Sequence, residues 1–140
     1  MMLALAMNAE AQKSTKDQRV MAFQTVMAMH DITYKNLIKD GKYKEAIVPL
    51  TKLINILDTT TICQDTEISP EMIKAAKADY LYDQACCFAL TKQKKLALAT
   101  LGKSVDSGYK RYDNMLNDND LASTSLRSVR TRNIRPCWPR

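Results

Sequence analysis

Residues 79–109 read DYLYDQACCFALTKQKKLALATLGKSVDSGY, two apolar stripes separated by a short polar break. With Ala78 just before them, Leu81, Ala85 and Phe88 recur at i, i+3, i+7 and i+10, the spacing of one helical face. Thr91-Lys92-Gln93 interrupt that pattern. A second stripe of Ala97, Leu101, Ser104 and Val105 follows, and Ser107-Gly108 end it. Two helices joined by three polar residues make an αα-hairpin. Cys86 and Cys87 fall inside its first helix. Neighbouring side chains on a helix point about 100° apart, so adjacent thiols can neither chelate one metal nor bond to each other. No C-x-x-C occurs to give a redox pair. The two cysteines therefore read as small packing residues. A bridge from Cys63 or Cys137 to one of them stays open, in a compartment that permits disulfides.

Upstream lies a similar pair. Val20, Phe23, Met27, Tyr34 and Leu37 form one stripe of a long helix over residues 14–39, with Ser14 or Thr15 as its cap. Asp40-Gly41 supply the turn, Gly41 being suited to the left-handed residue that ends a helix. Ala46, Leu50, Leu53, Ile54 and Leu57 mark the next helix, in which Pro49 removes one backbone hydrogen bond. DTTTICQDTEISP, from Asp58, is polar and β-branched and reads as a loop. Ser69 then caps the following helix, with Pro70 in its first position and Glu71 in its first turn. Downstream of Gly108, YKRYDNMLNDNDLASTSL predicts one or two short helices.

The two hairpins align with each other. LIKDGKYKEAIVPLTKLI and ALTKQKKLALATLGKSV share a helix end, a basic turn, an alanine (Ala46, Ala97) and a leucine four residues on (Leu50, Leu101). On these residues the chain resembles the tetratricopeptide repeat (TPR) family, and its second unit resembles the end-of-array form found in bacterial exported proteins. Ala85 and Ala97 match the family's small positions, Phe88 its aromatic one and Leu101 its large neighbour, while Ser104 replaces a third alanine. In the first unit Gly41, Tyr43, Ala46 and Leu50 match, but Tyr34 stands where a small residue belongs. The likeness covers about residues 28–127.

The resemblance implies an all-α fold of TPR-like antiparallel helical hairpins, two repeat units plus short closing helices, over residues 13–126. It also implies a protein or peptide partner and no catalysis. Ligand contacts in that family come from the exposed face of each hairpin's first helix. Carried over, these are Asp31, Lys35 and Lys39 in the first unit, and Asp79, Tyr82, Asp83 and Cys86 in the second. One stripe is mainly basic and the other acidic with an aromatic, so a peptide carrying both charges would lie between them, anchored by Tyr82.

Catalytic constellations are hard to assemble from the rest. His30 is the sole histidine, and its neighbour Asp31 does not face it on a helix. Three glycines make no phosphate-cradling loop, and no serine sits in a Gly-x-Ser-x-Gly turn. Asp113, Asp118 and Asp120 lack the glycine and distal glutamate of a calcium loop. No enzyme, metal or cofactor is expected.

The net charge of +6 is unevenly spread. Residues 1–126 hold 16 basic and 15 acidic side chains, so the excess lies in residues 127–140, with five arginines and the only tryptophan, Trp138. This tail reads either as a functional basic arm or as a stretch of different coding history, such as another frame. As an arm it would support a rival function, binding of nucleic acid or another acidic surface, with arginines on phosphates and Trp138 stacked on a base. At the other end, residues 1–12 (MMLALAMNAEAQ) resemble the back half of a secretory signal, with Ala9-Glu10-Ala11 as the cleavage site and the true start upstream. That reading makes the protein exported and periplasmic. Read instead as the apolar start of a helix, the segment leaves it in the cytoplasm. No apolar run reaches the ~20 residues of a transmembrane helix.

Overall fold

The structure, a computed structural model, describes residues 2–110, and from residue 13 onward their side chains with the exception of Ser14. Four α-helices account for nearly all of it: α1 (Met2–Lys39), α2 (Tyr43–Thr59), α3 (Pro70–Leu90) and α4 (Lys94–Asp106). Each packs antiparallel on the next, giving two hairpins stacked through α2 and α3. The architecture is all-α, as the periodicity requires. The expected closing helices and the basic tail, with Cys137 and Trp138, lie outside the described residues.

Three of the four helices end in the same way. After α1, Gly41 (φ 72°) takes the left-handed conformation, its N–H donates to Ile38, and the Lys42 N–H donates to Leu37. After α4, Gly108 (φ 95°) does the same, with Tyr109 donating to Ser104. This motif ties the last orphan carbonyls of a helix to the chain that leaves it. Following α3 the geometry repeats, but the left-handed residue is Lys92 (φ 63°). A non-glycine residue there carries a Cβ penalty that neither glycine does.

The stripes read from the sequence are the buried faces. Ala46, Leu50, Leu53, Ala85, Ala97 and Leu101 are completely covered. Two clusters divide the core, one between α1 and α2 around Tyr34, Leu50 and Leu53, the other between α3 and α4 around Ala85, Ala97 and Leu101. Helix α3 serves both. Its successive residues Cys86 and Cys87 turn into different clusters, Cys86 toward α4 and Cys87 toward α1 and α2. Their packing role is thereby explicit, and their divergence follows from the 100° step. Ser104, fully buried, donates to the Ala78 carbonyl at 2.7 Å and stitches α4 to α3.

Two boundaries differ from expectation. Helix α1 begins at Met2, so Ser14 and Thr15 lie inside it and neither caps it. Absence of any glycine or proline before Gly41 leaves nothing to stop the helix there. At 38 residues it extends about 57 Å, more than twice the length of α2. The connection after α2 is also less irregular than its composition implies. Ile62–Gln64 form a 3-10 turn that buries Ile62. Arg19 reaches this connection from α1 with a two-pronged ion pair to Asp65, both contacts 2.9 Å. Ser69 caps α3 as read, its hydroxyl accepting from the Met72 N–H.

Candidate functional site

The face where α1 meets α3 holds most of the residues expected to bind a ligand, and it is tied together internally. Tyr34 on α1 donates its hydroxyl to Asp83 on α3 at 2.9 Å, and Tyr80 on α3 donates to Asp31 on α1 at 3.2 Å. The two rings meet edge to face, centroids 5.9 Å apart. Each helix thus offers one tyrosine and one aspartate three residues apart, and the pairs are exchanged. Lys35 adds an ion pair to Asp31 at 2.6 Å, one helical turn away. Burial, and then the facing carboxylate, resist ionisation of both phenols. Tyr34 is held far above its ordinary range, and Tyr80 is pushed up to about 12.

This geometry corrects part of the expected site. Asp31, Lys35 and Asp83 do come together, but chiefly with one another and with Tyr34 and Tyr80. Asp79 and Lys39 are exposed on the same two helices. Tyr82 is only 7% exposed, so it is no open anchor. It stacks face to face on Tyr109, centroids 4.4 Å apart and planes within 5°, inside the α3–α4 cluster. Cys86 is buried beside it. The cause lies in the chain leaving α4, where the turn at Gly108 brings Tyr109 back over α3. A tyrosine after a helix-ending glycine was the available signal for this. Tyr34, the departure from the repeat pattern, is explained as well: its ring fills the α1–α2 cluster while its hydroxyl crosses to α3.

A cleft opens on a different side of α3, flanked by α2 and α4, with a volume of about 480 Å³. Its base is apolar, made by the nearly buried Ile54 and Leu81. Polar groups ring that base. Gln84 donates its side-chain amide to the Thr51 hydroxyl at 2.8 Å, bridging α3 and α2. Asn55 and Thr100 add an amide and a hydroxyl from the two walls. Charges of both signs stand at the rim. Asp58 and Lys77 form an ion pair, and Lys103 and Asp106 are exposed on α4. The repeat pattern points to faces of α1 and α3, so Ile54 and Leu81 are read from the sequence only as core positions and none of the cleft's residues as a ligand contact.

The cleft's volume falls within the roughly 300–1,000 Å³ typical of ligand clefts. No histidine or cysteine lines it, and its titratable side chains are Asp58, Lys77, Lys103 and Asp106. Among the described residues no group of three or more His, Cys, Asp or Glu is placed to hold a metal. In comparisons with known proteins, no family model, no curated protein and no solved structure matches the chain.

Proposed function

We propose that the protein is a non-catalytic binding module of helical hairpins that holds an extended polypeptide segment in the α2–α3–α4 cleft. The observation that carries this reading is the make-up of the cleft, an apolar base ringed by amides and hydroxyls inside a rim of mixed charge. Main-chain amides of an extended segment need both donors and acceptors. Asn55 and Gln84 offer both in one side chain, and Thr100 adds a hydroxyl, while Thr51, which donates to the Ile47 carbonyl and accepts from Gln84, holds the Gln84 amide in place. One apolar side chain would sit over Leu81 and Ile54. The rim would select segments with an acidic residue near Lys103 and a basic one near Asp106, contributing more to specificity and on-rate than to affinity. The tetratricopeptide-repeat resemblance supports a peptide-binding role, and export to the periplasm belongs to the same reading.

A random-peptide display library panned on the full chain tests it, with selected peptides titrated by calorimetry. Binding should weaken at least tenfold in Asn55→Ala and in Lys103→Glu. Peptides that bind both variants as well as the native chain would move the site elsewhere, and failure to select any peptide would count against the function itself.

A further inference from the structure

The outer face of α1, turned away from α2, carries exposed apolar side chains: Met21 (67% exposed), Met29 (54%) and Ile32 (59%). A shift of 51 residues superposes the two hairpins, matching Ala46 to Ala97, Leu50 to Leu101 and the left-handed Gly41 to Lys92. Under the same shift Met29 corresponds to Tyr80 and Ile32 to Asp83. Those are the residues by which α3 docks on the preceding hairpin. Helix α1 therefore presents apolar groups at the register the fold uses for stacking.

Charge selects the occupant. Asp17 and Lys39, both exposed, lie 11 residues before and 11 after Ala28, and all three fall within about 20° of one line along the helix. We infer that α1 pairs antiparallel with α1 of a second copy, crossing at Ala28, so that Asp17 of each faces Lys39 of the other. The small Ala28 side chain lets the helices approach at the crossing point. Met21, seven residues before the crossing, covers the stem of the partner copy's Lys35, whose charge stays paired to Asp31, and Ile32 packs against Gln24 of the other copy. The same face joined in parallel would oppose Asp17 to Asp17 and Lys39 to Lys39, so the charges also fix the direction. This pairing leaves the α2–α3–α4 cleft open, and it stands independently of what the cleft binds.

Sedimentation of the full chain, with and without single substitutions on this exposed face, tests the inference. The native protein should sediment as a dimer. Asp17→Lys and Lys39→Asp should each lower the dimer fraction several-fold with helical content unchanged, and the double swap should restore it. Ala28→Cys should form a disulfide-linked dimer on mild oxidation that the native chain, with its own cysteines, does not. A monomeric native chain would overturn the pairing. So would a dimer indifferent to Asp17→Lys and Lys39→Asp, a double swap that fails to recover it, or an Ala28→Cys protein that does not cross-link.

Discussion

At the scale of single residues, the sharpest consequence concerns Lys92. Its left-handed backbone does the work that Gly41 and Gly108 do at the other helix ends, with a Cβ in the way. Lys92→Gly relieves that penalty but loosens the unfolded chain, two effects of opposite sign. Since the backbone hydrogen bonds of the turn are already made, relief should win, and the variant should gain about 0.5–1 kcal/mol in urea denaturation. Ser104 gives the opposite expectation. Ser104→Ala removes a buried 2.7 Å hydrogen bond to Ala78 and should cost about 1 kcal/mol. Tyr80 supplies a pH signature. Its phenol is raised to about 12 in the fold against about 10 unfolded. A raised phenol adds stability that is complete below pH ~10 and is lost as pH climbs toward ~12. Thermal midpoints measured across that window should fall less steeply in Tyr80→Phe than in the native chain. None of these three was legible in the sequence. A lysine at a turn, a serine on an apolar stripe and a tyrosine near an aspartate acquire meaning only once the turn closes and the helices cross.

At the scale of elements, much was legible, because burial here is written in period. Every position assigned to the α2 stripe is buried, and so are Ala78, Leu81 and Ala85 of α3. Ser69-Pro70-Glu71 marked the start of α3 through capping chemistry that acts within one turn. What escaped was the extent of α1 and the true surroundings of Tyr82. Start signals of the Ser-Thr kind also occur inside helices when nothing breaks the chain ahead of them. Tyr82 was placed outside by a register argument, which sees only its own helix and not the returning Tyr109. The small residues in the seams set a further expectation. Ala97 is fully covered where α4 rests on α3, so Ala97→Leu has no room and should lose about 1–3 kcal/mol by overpacking. Asn55→Leu at the cleft rim should leave stability near native, since its side chain is exposed.

For the whole molecule, the arrangement explains why α3 is the most constrained helix. It meets α4 through one cluster, α1 and α2 through the other, and the cleft through Leu81 and Gln84. Both tyrosine–aspartate bonds and the Gln84–Thr51 bond run from it into the first hairpin. The hairpins are thus joined by directional bonds as well as apolar contact, and they hold the cleft walls at a set spacing. A cleft held this way would need little reorganisation to take the proposed peptide, which would lower the entropy cost of association. The fold class could be read from periodicity, while the cleft could not, because its residues come from three helices and share no motif. In the proposed function this cleft, and not the α1–α3 face, receives a polypeptide. Amide chemical-shift mapping of the full chain, titrated with a peptide selected on it, tests this most directly. Shifts concentrated at Asn55, Leu81, Gln84, Thr100 and Lys103 are predicted, with Asp31, Lys35 and Asp79 unmoved. Shifts confined to Asp31, Lys35, Lys39 and Asp79 would contradict it.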